Sequence, residues 1–338
     1  MSTTHESGRT TLAMVAEEAG VSLSTISKVL NGHADVSPAT RQRIESLLDE
    51  HSYRRRGAAI KGSTLLELVF SDLSNPWGSE ILLGVQEVAH QGGMSVVLSP
   101  SGDRHAPGPG WLPGVVRRRP AGALLVSTDP TPQLRERLAS RNIPFAVIDP
   151  AGELPPGVAS VGSTNWAGGY AATRHLLELG HTRIAAVSGH THMLCSWARL
   201  DGYRSAMASA GLKVREDWVH MGDFLVTGGR AAAERLLASD DRPTAVFAGN
   251  DIQALGVIEV ASERGLRVPE DVSVVGYDDT QVATWARPRL TTVHQPIRRM
   301  AAEAARIVLR MAAGESVEQP RLELATHLVV RDSTAAPA

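Results

Sequence analysis

A single cysteine, Cys195, occurs in 338 residues, so no internal disulfide can form. That scarcity fits a reducing compartment. No apolar run approaches the ~18 residues that a membrane-spanning helix needs. The opening MSTTHESGRTT has no apolar core and carries Glu6, unlike a secretory signal. A cytoplasmic protein with no membrane association is expected. Lysine is scarce, at Lys28, Lys61 and Lys213 only. No large excess of either charge exists: 34 basic residues face 36 acidic ones, for a formal net charge of -2. That balance excludes a chain that coats nucleic acid non-specifically, but it leaves room for a small DNA-reading module on a neutral body. Catalytic signatures are missing too. No G-x-S-x-G elbow, G-x-x-x-x-G-K-[ST] loop or G-x-G-x-x-G turn follows an expected strand. His190, His192 and Cys195 crowd together in GHTHMLC, but their spacing matches no familiar metal site. Asp278-Asp279 would suit a sugar hydrolase, yet no proton-donor partner is identifiable. Neither an enzyme nor a metal or cofactor protein is expected.

What is present divides at about residue 62. Before it, only helical periodicity occurs. Leu12, Val15, Ala16 and Ala19 fall at i, i+3, i+4, i+7 on one stripe, which Gly20 ends. Ser22 can cap a second helix with Ile26, Val29 and Leu30 on its inner face, stopped by Asn31-Gly32. Ser37-Pro38 starts a third, whose buried side is Ile44, Leu47 and Leu48. From Leu65, short apolar runs alternate with helical stretches in two series. The first runs from LLELVF to IPFAVID and the second from VASVGS to VSVVGYDD. Such alternation means crossover units and parallel sheets, hence two similar α/β lobes. A last helix (297–313) and the strand ELATHLVV follow both series, so they should cross back between the lobes. The Pro- and Gly-rich 103–114 reads as a surface loop.

Two helices joined by a tight turn, the second presenting Ser24, Thr25, Ser27 and Lys28 outward, form a helix-turn-helix pattern. Short hydroxyls let a helix sit deep in the major groove, and a basic side chain can reach guanine. A plain helical hairpin has the same periodicity. Residues 1–62 hold eight cations and seven acids, but RRRGAAIK (54–61) concentrates four cations and no acid. That run could engage phosphates or be a solvated linker.

TLAMVAEEAGVSLSTISKVLNG and VSPATRQRIESLLDEHSY resemble the DNA-binding domain of the lactose-repressor (LacI/GalR) family of transcription regulators. Further landmarks agree in order: SNPW (74–77), ELGHTRIA (178–185), RLDGY (199–203), GDF (222–224), AGNDIQALG (248–256), RVPEDVSVVGYDD (267–279) and LTTVHQP (290–296). The resemblance spans nearly the whole chain. It implies a helix-turn-helix domain at 10–53, a hinge at 54–63 and a two-lobed core at 64–335, similar to periplasmic sugar-binding proteins. Lobe 1 would take about 64–160 and 297–322, and lobe 2 about 161–293 and 323–335. By position in the family, Leu23, Ser24 and Lys28 would face bases, while Thr25, Ser27, Asn31 and Thr40 would support phosphate contacts. Family members act as homodimers or pairs of dimers on palindromic operators, matching two-fold symmetry to two half-sites. The C-terminal RDSTAAPA shows no heptad that would build a tetramer. One departure stands out. The family's hinge leucine, a minor-groove wedge, is absent: Arg54, Arg55 and Arg56 follow Tyr53, and Ile60 is the nearest apolar substitute. A hinge leaning on arginine–phosphate contacts is expected.

Clefts of such cores bind ligands at strand C-termini. Asp149, Asn250-Asp251 and Asp278 end expected strands, Phe224 ends another, and Arg199 lies early in a helix. The resemblance implies that Arg199, Asn250 and Asp278 hydrogen-bond an effector while Trp77 and Phe224 stack on it; Asp149, Trp166 and Gln295 are further candidates. Carboxylates, an amide and a guanidinium around aromatic faces suit sugar hydroxyls and ring faces. Structural roles compete: a helix cap for Asp251, core packing for Trp77, a salt bridge to Asp201 or Asp223 for Arg199. The expected function is a repressor switched by a mono- or disaccharide, with a purine-responsive regulator as the alternative. A stand-alone sugar-binding protein would lack residues 10–50 and carry an export signal.

Overall fold

A computed structural model describes residues 11–30, 35–51, 63–70, 75–101 and 110–338. The expected contacts of Asn31, Arg54, Arg55, Arg56 and Ile60 lie outside the described residues.

Three helices open the chain: α1 (Leu12–Ala19), α2 (Leu23–Leu30) and α3 (Pro38–Glu50). Their periodicity is what buries them. Val15, Ala16 and Ala19 of α1, Ile26 and Val29 of α2, and Ile44 and Leu48 of α3 close one small core around Val36. Gly20 ends α1 at φ 65, the left-handed region that glycine enters without a Cβ penalty. The hydroxyl of Ser22 accepts from the Thr25 N–H, and that of Ser37 from the Thr40 N–H, so both later helices are capped by serine.

The core is two six-stranded sheets. The first orders β2 (Ser95–Pro100), β1 (Leu65–Phe70), β3 (Gly122–Val126), β4 (Phe145–Ile148), β5 (Ala159–Ser163) and β11 (Arg321–Leu324), all parallel. The second orders β7 (Val219–Met221), β6 (Ile184–Ser188), β8 (Ala245–Ala248), β9 (Ser273–Asp278), β10 (Thr291–His294) and β12 (His327–Val329). Its last strand runs antiparallel to β10, the one departure from parallel pairing. Central strands such as GALLV and AVFA are buried at every residue because helices cover both faces. Lobe 1 carries α4 (Pro76–Gln91), α5 (Trp111–Arg118), α6 (Pro132–Ala139) and α12 (Ile297–Ala312). Lobe 2 carries α7 (Asn165–Glu178), α8 (Leu194–Ser209), α9 (Val226–Leu236), α10 (Asp251–Glu263) and α11 (Gln281–Trp285).

Four local expectations change. VASVGS does not open the second series: β5 pairs with β4 in the first sheet, so lobe 1 runs on to Ser163 rather than ending near 160. ELATHLVV is not one strand: β11 joins the first sheet, and β12, two residues on, joins the second. The chain thus crosses between lobes at 163–165, 294–297 and 324–327. Within 103–114, Trp111 to Gly114 are helical rather than loop, because Trp111, Val115 and Val116 bury one face and Pro113 sits in the first turn, where its missing N–H costs nothing. Phe224 does not end a strand. It lies in the loop after β7, at φ 62.

Candidate functional site

Both sheets share the strand order 2-1-3-4-5, so each has its topological switch point between its first and third strands. A cavity of about 460 Å³ opens between the lobes at those points. Lobe 1 contributes Phe70 and Ser127 from the ends of β1 and β3, Asp149 from the end of β4, and Trp77 from α4. Lobe 2 contributes His190 and His192 after β6, Asp223 and Phe224 after β7, Asn250 after β8, Asp278 at the end of β9, and Arg199 from α8. Across the mouth, the Leu194 N–H donates to the Ala151 carbonyl of lobe 1 at 2.8 Å.

Backbone conformation singles out the same place. Among the described residues, seven non-glycine residues have positive φ, and four of them, Ser127, Asp149, Phe224 and Asp278, line this cavity. Such residues cost roughly 1–3 kcal/mol each and persist where surroundings over-determine them, as at ligand sites.

Arg199 is the centre of the polar floor. Its Nε donates to Asn165 Oδ1 (2.8 Å), Nη1 to the Gly249 carbonyl (2.6 Å) and Nη2 to Gln295 Oε1 (3.1 Å). Its guanidinium lies 3.7 Å from the Tyr277 ring centroid and 5.7 Å from that of Phe224, a cation–π placement. The salt bridge expected with Asp201 or Asp223 is instead made to Asp278, at 3.6 Å. Burial opposes the charge on Arg199, but Asp278 and Tyr277 outweigh it and its pKa rises. Asp278 is buried and its Oδ1 has no hydrogen-bond partner within the protein. Burial holds its carboxyl well above the usual range; Arg199 opposes that, and Asp251 and Asp149 reinforce it. Burial likewise raises Asp149, against the pull of Arg199. Cys195, also on the cavity wall, has its thiol pushed up to about 12, first by burial and then by Asp149.

Asn250 caps α10, its Oδ1 accepting from the Gln253 N–H, while its Nδ2 donates to the Phe224 carbonyl. The cap expected of Asp251 therefore belongs to its neighbour. Asp251 is instead buried behind the cleft, accepting from Thr292 Oγ1 (2.5 Å) and from the Thr280 N–H and hydroxyl. Gly189 lets the Phe224 ring lie flat against the chain: a Cβ there would stand 2.0 Å from the ring.

Two expected cavity residues are elsewhere. Trp166, 47% exposed, stacks on Tyr170 one turn on, outside the cavity, because the buried side of α7 is Gly168, Gly169, Ala172 and Thr173. Gln295 is buried beneath the floor and reaches the cavity only through Arg199. Trp77 both lines the cavity and packs 6.0 Å from Phe70, so its stacking and core roles coexist. Sequence reasoning passed over Ser127, which ends its strand as Asp149 does, and weighed His190 and His192 only as metal ligands. Their rings stack at 4.9 Å beside Phe224.

At the other end of the chain, α2 exposes Leu23 (54%), Ser24, Ser27 and Lys28 on one side. Thr25 is half-buried and its hydroxyl bonds Ser22; Thr40 bonds Ser37. Lys28 pairs with Asp35 at 2.5 Å. That exposed pair is worth about 1 kcal/mol or less and exchanges readily for a phosphate or base.

The chain matches bacterial regulatory proteins of the lacI family over residues 11–56 and the periplasmic binding protein-like domain over 173–334. It is 38% identical to the HTH-type transcriptional regulator CelR of Thermobifida fusca over 340 residues, covering 96% of this chain and 98% of that one. It is 34% identical to the HTH-type transcriptional repressor PurR of Vibrio campbellii, covering 96% and 98%. Among solved structures, the CelR–cellobiose complex is similar with a TM-score of 0.73 at 36% identity, over 96% of this chain and 100% of that one. The lac repressor dimer bound to operator and the anti-inducer ONPF gives 0.70 at 28% identity, over 97% and 100%. With relatives this similar along its whole length, the chain belongs to the lacI family of bacterial regulatory proteins.

Proposed function

We propose that the chain is a transcriptional repressor that reads a palindromic operator as a homodimer in the cytoplasm, regulates rather than catalyses, and is switched by a neutral sugar bound between its lobes. The observation that carries the ligand class is the set of polar groups lining the cleft. Asp149, Asp278 and Asp223 line it against one cation, Arg199, and three of the five N–H groups of that guanidinium are already committed inside the protein. A phosphate or carboxylate would meet three carboxyl groups and few uncommitted cationic donors. Sugar hydroxyls would donate to the Asp149 and Asp278 oxygens, and Phe224 and Trp77 offer faces for a pyranose ring. The similarity to a cellobiose complex favours a disaccharide of that kind. The PurR relatives favour a purine as the second reading, since a base could stack on Phe224 and bond Arg199.

At the DNA, Leu23, Ser24 and Lys28 would meet base edges in the major groove, with Thr25, Ser27, Asn31 and Thr40 placed for phosphates. The basic run Arg54 to Arg56, with Ile60 as the apolar substitute for a wedge, would follow the backbone.

A thermal-shift panel of cellobiose, other mono- and disaccharides, hypoxanthine and guanine tests the ligand. A ligand at 100 Kd adds about 2.7 kcal/mol, a shift of several degrees that Asp278→Ala and Arg199→Ala should abolish. A shift with a purine alone would overturn the sugar reading, and an undiminished shift in both variants would overturn the site. Failure to select any palindromic DNA from a randomised pool would sink the repressor itself.

A further inference from the structure

Arg199 touches more than the cleft. Its hydrogen-bond acceptor Asn165 is the last residue of the 163–165 crossing between lobes, and its acceptor Gln295 lies within the 294–297 crossing. Its stacking partner Tyr277 lies beside Thr326, in the third crossing. The first and third crossings are themselves clasped. The Thr326 N–H donates to Thr164 Oγ1 at 3.0 Å, the Thr326 hydroxyl donates to the Thr164 carbonyl at 3.2 Å, and the Thr164 N–H donates to the Leu324 carbonyl at 3.0 Å. One buried side chain therefore contacts or adjoins all three segments about which the lobes must rotate.

We propose that Arg199 is the bolt of the lobe hinge, and that Asn165 and Gln295 are positioning residues that convert a change at the cleft floor into a change in lobe angle. This rests on the cleft being the effector site. A guanidinium is planar and rigid, so a ligand that draws one N–H edge toward itself rotates the other edges. Nε and Nη2 cannot then keep their bonds to Asn165 and Gln295 unless those residues move. Both are anchored on the hinge side: Asn165 Nδ2 donates to the Ser163 carbonyl at 3.2 Å, and Gln295 Nε2 lies against Met300 Sδ of α12 at 3.5 Å. Each amide thus ties Arg199, a lobe 2 residue, to chain that enters or leaves lobe 1. A lysine in place of Arg199 would keep the charge but could not span both acceptors.

The test uses the full chain and a palindromic operator selected from random DNA. Asn165→Leu and Gln295→Met keep volume and remove the acceptors; Asn165→Asp and Gln295→Glu keep an acceptor oxygen. Operator Kd is measured first without sugar. We expect the acceptor-less variants to shift it by at least about threefold, since coupled neighbours interact by roughly 0.5–3 kcal/mol. Adding Arg199→Lys to either should change it no further, because all act through one bolt. The acceptor-keeping variants, which still hold Arg199 but lose the amide donors to Ser163 and Met300, should shift Kd less than their acceptor-less counterparts. With cellobiose at saturation, the ratio of operator Kd with and without sugar should fall toward one in the acceptor-less variants although the sugar still binds. Should either acceptor-less variant fail to fold, Arg199→Lys alone should give the same sugar-free shift. An unchanged Kd in these variants, or strictly additive effects with Arg199→Lys, overturns the proposal. If no sugar of the panel binds the wild type while the sugar-free shifts and their non-additivity persist, the cleft reading fails and the hinge reading stands.

Discussion

Asp251→Asn should stabilise the protein most above pH 7, with the gain shrinking as pH falls toward 4. Asp251 is fully enclosed at the start of α10, and burial pushes its carboxyl up to about 7, against the hydrogen bonds from Thr292 and Thr280 and with a further push from Asp279. In the unfolded chain the same group titrates near ~3.9. Its folded pKa is raised, so the folded state binds the proton more tightly. The charge therefore destabilises the fold fully above about 7, and that cost fades as pH falls from 7 toward 4. Roughly three units at ~1.4 kcal/mol each set a ceiling of about 4 kcal/mol. The N-terminus of α10 favours a negative group by up to ~2 kcal/mol, which lowers both this ceiling and the pH at which the full cost is reached, leaving on the order of 2 kcal/mol. The amide is nearly isosteric: its oxygen can accept from the Thr280 N–H and hydroxyl, and its NH2 can donate to a reoriented Thr292 hydroxyl. For a unit the size of lobe 2, this is roughly 4–8 °C in Tm. Melting curves of variant and wild type from pH 5 to 8, followed by circular dichroism, decide it. A variant as destabilised at pH 8 as at pH 5 would show that the carboxylate is welcome there as an anion, and the reasoning from burial would fail.

Lys28→Ala should weaken operator binding by about 1–3 kcal/mol with no change in Tm, because its pair with Asp35 is exposed; loss of base preference at one operator position would mark base contact, and a salt slope reduced by about 1 would mark phosphate contact. Gly169→Ala should cost at least about 2 kcal/mol in urea unfolding, since its Cβ would stand 2.1 Å from the Arg199 carbonyl and force α7 from α8; an unchanged midpoint would refute that close crossing. Asn250→Asp should keep the cap on α10 but set a carboxylate against the Phe224 carbonyl, so ligand affinity should fall about 10- to 100-fold by calorimetry with Tm nearly intact; equal affinity would mean that the Phe224 loop needs no tie.

Much of the fold was legible because the central strands are short runs rich in Val, Ile, Leu and Ala, and several helices begin at a side-chain cap. GALLV and AVFA could be little else between helices. ELATHLVV was not divisible from sequence. No Gly or Pro breaks it at Ala325-Thr326, and the switch of sheet depends on which edge, that of β5 or β10, is open to pair. Trp111 illustrates the opposite error: Pro and Gly density read as loop, while burial of Trp111 and Val115 sufficed for a helix.

The site shows a sharper division. Asp149, Asn250 and Asp278 were found because a parallel sheet delivers its strand ends to one crevice, a rule that needs only strand boundaries. Residue type could not say which of them is free for a ligand, because that depends on how many hydrogen bonds the fold itself consumes. Asn250 spends its oxygen on a cap and an N–H on Phe224; Asp278 keeps an oxygen that accepts no hydrogen bond; Gln295, of the same chemical kind as Asn250, never reaches the cavity. Arg199 lies between these cases, with three N–H groups bonded within the scaffold while the side chain also lines the cleft. A group wholly consumed by the fold cannot sense a ligand, and one wholly free cannot report it. Divided commitment of this sort is what a switch requires, and it becomes visible only when donors and acceptors are counted in place.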